Sequence, residues 1–360
     1  MKSLILLILL AISAQAAETP FYVAASQGIY RGTLNEDTGQ PSPLTLATKA
    51  ASPNFHAISP DHGILYATLG SGVKTVADFF VQPDGTLSAL DALPSGGAGA
   101  CHVSVDRTGQ NVLVANYDSG TIACFQLSGD DTLVKQTALI QFNGAGPNPK
   151  RQTKPYAHSI YADPANKFVY ACDLGTDHIW IFQFDPLYGA FTPADPPAAK
   201  VPPGSGPRHL AFHPNGKFVY VANEMGHSVT VFARDAATGA LTSLQTLSTL
   251  LPETPTQGVT TAEIVCAPSG KFLYVSNRGC DTLSVFSIAA DGKLALIQSA
   301  PSLAQMPRSF ALDPTGHWLL VAGQKDNRIV VQKIDPATGR LTATDQTAAV
   351  SGPTCVLFQN

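Results

Sequence analysis

The stretch Pro214–Phe232 reads PNGKFVYVANEMGHSVTVF, and its pattern returns at Pro268–Phe286 (PSGKFLYVSNRGCDTLSVF) and Pro164–Phe182 (PANKFVYACDLGTDHIWIF). Each copy holds a polar turn, an apolar run, a second polar turn and an alternating apolar segment. Val, Phe, Tyr and Ile at period two, punctuated by Gly, Asn and Asp, make strands and turns rather than helices. Looser copies stand at Arg107–Phe125, Pro314–Gln332 and Asp61–Gly70, and a truncated one, FYVAASQGIY, at Phe21–Tyr30. Aligned on the Tyr, or on the Leu that replaces it, they fall at Tyr22, Tyr66, Leu113, Tyr170, Tyr220, Tyr274 and Leu320, 44 to 57 residues apart. A repeat of this length built of short strands is the mark of a β-propeller, with one four-stranded sheet per blade. The expected fold is all-β, a seven-bladed propeller. The chain starts partway through a unit and ends on a lone strand, Pro353–Phe358, so its two terminal strands are expected to share a blade and close the ring without an open edge.

Composition agrees. The 360 residues include 30 Gly and 27 Pro, spread along the chain, which excludes long helices. A hydrophobic share of 44% supplies a large core and excludes disorder. Charged residues are only 13%, and the net charge of -4 with no long basic run argues against a nucleic-acid partner.

The amino terminus reads as an export signal. Met1–Lys2–Ser3 is short and basic, Leu4–Ile12 is apolar but too short to span a bilayer, and small residues precede a cut after Ala16. The expected division is a signal peptide at 1–16 and one propeller domain at 17–360, exported to the periplasm or the medium, free of the membrane and monomeric. Six cysteines (Cys101, Cys124, Cys172, Cys266, Cys280, Cys355) are compatible with an oxidising compartment. They form no C-x-x-C pair and mostly lie within apolar runs, so buried, inert thiols are expected and a zinc site is not.

Polar residues, most of them titratable, gather at two points of the repeat. Eleven or twelve residues before the aligned Tyr, where the innermost strand of a blade begins, stand His102, His158, Arg208, His209, Glu263 and Arg308. Four residues after it, where the second strand ends, stand Tyr117, Glu224, Arg278 and Gln324. In a propeller these two points share a face beside the central channel, so the whole set is expected to converge on one mouth, with Glu224 touching an arginine or a histidine. Taken singly, each would be an ordinary hydrogen-bonded residue at a strand end. Different polar residues at equivalent points of different blades suggest a built site instead. Asn116, Asn223 and Asn277, which repeat, read as turn formers. Guanidiniums can clamp an anion and offset charge on an oxyanion, and a carboxylate with an imidazole can exchange protons. With no nucleophile elbow, H-E-x-x-H, EF-hand loop, dinucleotide turn or P-loop, cofactor-free acid–base chemistry on an anionic small molecule is expected.

At these residues the chain resembles the lactonase family of seven-bladed propellers, which includes propeller-type 6-phosphogluconolactonase and carboxy-cis,cis-muconate cyclase. The resemblance rests on Ala157-His158-Ser159, Gly206-Pro207-Arg208-His209, Val221-Ala222-Asn223-Glu224, Ser276-Asn277-Arg278, Pro307-Arg308 and Ala322-Gly323-Gln324-Lys325, in order over five blades. It implies hydrolysis of a sugar-type lactone, with His158, Arg208, Glu224 and Arg278 catalytic and His102, His209, Glu263, Arg308 and Gln324 binding or orienting the substrate. It implies Arg208 and Arg278 on the lactone carbonyl and Glu224 or His158 as the base, without cofactor or metal. Two other readings remain: a muconate-type lactone cyclase, and a non-catalytic scaffold like the surface-layer propellers that repeat Tyr-Val-x-Asn strands.

Overall fold

A computed structural model describes residues 17–70 and 75–359, so the expected signal at 1–16 lies outside the described residues. The described chain forms seven antiparallel four-stranded sheets and no helix. Each sheet is a blade with strands A to D from the channel outward. In blade 5 these are Pro207–Phe212, Phe218–Asn223, Ser228–Arg234 and Leu241–Ser248. Strand B is buried along almost its whole length, whereas strand D is largely exposed, with only Leu241 buried and two further residues half-buried. That is the pattern of an inner strand packed on both faces and an outer strand packed on one. In blade 1 the carboxy-terminal strand Cys355–Phe358 serves as strand A and pairs with Glu18–Ala25, Phe21 opposite Phe358. The ring is thus closed by the two ends of the chain.

The core is divided among the blade junctions. Among the described residues there are seven apolar clusters, each shared by two adjacent blades. Each junction also carries one hydrogen bond from strand B to the turn between strands C and D of the following blade. The repeat Tyr supplies it in five cases: Tyr22 to Gly85 O, Tyr66 to Asp131 O, Tyr170 to Gly239 O, Tyr220 to Gly292 O and Tyr274 to Gly339 O. Where Leu113 and Leu320 replace the Tyr, the residue two places earlier takes over: Asn111 Nδ2 donates to Pro186 O and Trp318 Nε1 to Glu36 O. The Trp318 bond joins blade 7 to blade 1. The receiving turn packs tightly here, because a Cβ on Gly39 (φ 71°) would lie 2.4 Å from the Trp318 ring. All six cysteines are free, four of them buried. Burial pushes the thiols of Cys101, Cys124, Cys172, Cys266 and Cys355 up to about 12, so they are protonated and unreactive.

One local irregularity shapes the channel. In six blades strand A carries a β-bulge at its start; in blade 5, Pro207 pairs with Asn223 and His209 with Ala222, leaving Arg208 unpaired between them. A bulge re-aims a side chain. Here it lets two consecutive residues of one strand serve different levels of the channel.

Candidate active site

Lining up the bulges sorts the strand A residues into two rings. The upper ring is Asn54, Cys101, His158, Arg208, Ala262, Arg308 and Thr354; the lower is Phe55, His102, Ser159, His209, Glu263, Ser309 and Cys355. The upper ring meets the ends of strand B around a pocket of about 320 Å³, lined among others by Tyr117, Arg151, His158, Glu224, Arg278 and Arg308. That volume suits one sugar-sized ring.

Glu224 is the hub of the pocket and is buried. Its Oε2 lies 3.0 Å from Arg278 Nη2 and 3.3 Å from Arg208 Nε, and its Oε1 accepts from Arg151 Nη2 at 2.7 Å. Burial alone would raise its pKa, but Arg278, Arg208 and Arg151 outweigh that and hold it below the ordinary glutamate value. It is therefore a fixed negative charge. His158 Nε2 is 4.0 Å from Oε2. Burial first, then the positive charge of Arg208, keeps the imidazole well below its usual pKa, so at neutral pH it is uncharged. Burial likewise draws Arg278 down to about 10, with Glu224 opposing, and it stays charged. Arg308 is held by Asn54 Oδ1 at 3.0 Å and contacts no carboxylate within ion-pair distance among the described residues. Three lining guanidiniums face Glu224 and the exposed Asp118, with Arg208 behind them, so the pocket has an excess of positive charge.

The expected convergence is met by some residues and not by others. His158, Glu224, Arg278 and Arg308 line the pocket. Arg208 does not: it is almost fully buried behind Glu224, with Nη1 donating to Ala262 O at 2.8 Å. It can position the carboxylate but has no open face for a substrate. His102, His209 and Glu263 lie in the lower ring, because the bulge sends each of them one level below its upper-ring neighbour. His209 Nδ1 and Glu263 Oε1 are 2.7 Å apart, and His102 stacks on Phe55 and meets His209 and Tyr161 edge-on. His102 and Glu263 line a different cavity, among residues from the far end of strand A such as Ile58, Val105 and Leu312, and hence toward the opposite mouth. Gln324 lines a hollow beside the pocket, with Ser26, Asn327 and Thr354, that shares Asn54 and Gly70 with it. Asn116, Asn223 and Asn277 are more than turn formers: all are buried and bond hydroxyls of neighbouring strands and loops, as Asn223 does to Ser228 and Thr230.

Arg151 was not expected. It lies in the segment between strand D of blade 3 and strand A of blade 4, outside the repeat, where no alignment of blades could find it. The signal available was indirect: the longest repeat interval, from Leu113 to Tyr170, contains the basic stretch Lys150–Lys154.

Comparison with known proteins adds identity to this geometry. The profile of the family described as "Lactonase, 7-bladed beta-propeller" matches residues 15–358. A Bacillus subtilis protein named 6-phosphogluconolactonase is 32% identical over 336 residues, 92% of this chain and 95% of that one. A solved structure from Bacteroides fragilis superposes with a TM-score of 0.89 at 33% identity, covering 97% of this chain and 99% of the other. The periplasmic gluconolactonase PpgL of Pseudomonas aeruginosa superposes with a TM-score of 0.87 at 27% identity, covering 95% and 99%.

Proposed function

Since the chain belongs to the lactonase family of seven-bladed β-propellers and is a lactonase, we propose that its propeller domain, 17–360, hydrolyses the cyclic ester of a sugar acid in the pocket around Glu224. The observation that carries the proposal is a buried carboxylate gripped by guanidiniums beside a neutral imidazole, in a pocket with positive charge to spare.

The reaction adds water across the ring ester. Water attacks the carbonyl carbon and gives one proton to the Glu224 carboxylate. The carbonyl oxygen becomes an oxyanion, which Arg278 and Arg308 stabilise from the pocket wall. As the intermediate collapses, the C–O bond of the ring breaks and the leaving oxygen recovers the proton from Glu224. The product is the open hydroxy acid, and the carboxylate is restored. Arg208 holds Glu224 in place, and His158 orients the water as a neutral hydrogen-bonding group. A weak base is adequate here, because lactones are activated esters and most of the acceleration falls to the preformed positive field.

The relatives' names favour a gluconolactone, phosphorylated or not. The export signal read at 1–16 favours a lactone met outside the cytoplasm, as the periplasmic relative would meet one. Purified protein should open glucono-δ-lactone, 6-phosphoglucono-δ-lactone or both well above the spontaneous rate. Glu224→Gln should lower kcat by about a hundredfold or more, and Arg208→Ala should do the same by letting the carboxylate turn. Unchanged turnover in both variants would overturn the assignment.

A further inference from the structure

The two oxygens of Glu224 are held in different ways. Oε2 is gripped by Arg208 and Arg278, both buried, and Arg208 is tied in turn to Ala262 O. Among the described residues Oε1 is held by Arg151 alone, whose side chain is 41% exposed. The backbone beneath Arg151 is fastened on both sides. Asn148 Oδ1 accepts from the amides of Lys150 and Arg151 at 3.0 and 3.2 Å. The buried Gln152 donates from Nε2 to Leu174 O and Asp177 Oδ1 at 2.9 and 2.8 Å. Asp177 Oδ1 also accepts from the Gly206 amide, two residues before Arg208. Arg151 is thus a long arm on a fixed base, reaching over the pocket to Glu224 and, at 3.4 Å, to the Tyr117 hydroxyl.

A half-exposed ion pair is worth little and exchanges readily, whereas the buried pairs do not. A doubly charged or carboxylate substituent entering the pocket offers Arg151 a stronger bidentate partner than the single oxygen it now holds. In the mechanism proposed above, Oε1 is the oxygen that becomes uncovered and more basic once that arm is withdrawn.

We propose that Arg151 determines specificity by blocking the base. An anionic substituent on the lactone draws Arg151 off Glu224 Oε1, and Oε1 is then free to take the proton from water. An anionic lactone unblocks its own base; a neutral lactone meets a blocked one. The substrate class this selects is a lactone carrying a phosphate or carboxylate at the end remote from the reacting ester. The inference rests on Glu224 being the base.

The test compares 6-phosphoglucono-δ-lactone with glucono-δ-lactone in the full-length chain and in R151Q, R151K and E224Q. The wild type should favour the anionic lactone in kcat/KM by about tenfold or more, the size of one charge-assisted contact. In R151Q the anionic lactone should lose that advantage, chiefly through KM. The neutral one should turn over several-fold faster, with the acid limb of its kcat/KM profile moved to higher pH, because one of the three charges depressing Glu224 is gone. R151K, which keeps the charge, should retain the preference. Equal losses on both lactones, no change in either, or a lost preference without a faster neutral reaction would each overturn the proposal. If E224Q keeps full activity on both lactones, the underlying reading of the base fails instead, and the two failures are told apart in one assay.

Discussion

Replacing His56 with leucine isolates the cost of one buried imidazole. The residue stands in strand A of blade 2 at a position filled in the other blades by Val103, Ile160, Leu210, Ile264, Phe310 and Val356. It is 1% exposed, and neither ring nitrogen makes a hydrogen bond of normal geometry. Burial drives its pKa from 6.5 down to about 3, against a small opposing pull from the Tyr22 backbone. The unfolded chain therefore binds a proton below 6.5 that the folded chain refuses until about 3. Stability falls with pH throughout that window, by an amount that reaches about 2 kcal/mol at about pH 5 and vanishes above about pH 7.5. His56→Leu removes this term alone, since His102, His158 and His209 titrate alike in both proteins. Urea unfolding of wild type and variant should therefore give a stability difference that shifts in the variant's favour by about 2 kcal/mol between about pH 7.5 and pH 5. Changes in packing cancel in that double comparison. A difference that stays constant to within about 0.5 kcal/mol would mean that His56 is protonated in the folded state, and the reasoning would be wrong.

Two further outcomes follow from features elsewhere in the ring. Trp318→Phe keeps an aromatic ring on Gly39 but removes the donor to Glu36 O; it should cost about 1–2 kcal/mol and lower the thermal midpoint by a few degrees in scanning calorimetry. Glu263→Gln takes the charge from the bond to His209. Burial opposes ionisation of Glu263, but His209 and Arg208 hold its pKa below the ordinary value, so its contribution is present above about pH 4.5 and is lost as pH falls through the folded pKa. The variant should be less stable than wild type by about 1–3 kcal/mol near neutrality, and the gap should close in acid unfolding curves below about pH 4.

The repeat was legible because it is enforced twice. Strand B must be apolar to fill the junctions, and its Tyr must reach the next blade; Tyr170, Tyr220 and Tyr274 meet both demands and so stand out in the sequence. Position along the chain also separated Glu224 and Arg278 from the turns around them. What the sequence could not convey is the bulge. Arg208 and His209 are neighbours in sequence and belong to different rings, because one unpaired residue changes the level at which the next side chain enters the channel. Counted back from the repeat position, Leu113 or Tyr170, His102 and His158 differ by one place, and that one residue separates the lower ring from the upper. Arg151 was hidden for another reason: it has no counterpart in any other blade, and periodicity is blind to what occurs once.

The hydrogen bonds between blades run one way around the ring. Each repeat carries a donor that faces forward, on strand B, and an acceptor that faces back, at the turn between strands C and D. A gene duplication that copies one whole repeat therefore adds a matched pair, and no donor or acceptor anywhere in the ring is orphaned by the insertion. Such an architecture can lengthen by copying its own parts, with the curvature of closure deciding how many it keeps. The substitutions at Leu113 and Leu320 show how much drift the scheme absorbs afterwards: the Tyr can be lost, provided that a residue two places along the same strand still reaches the neighbouring turn.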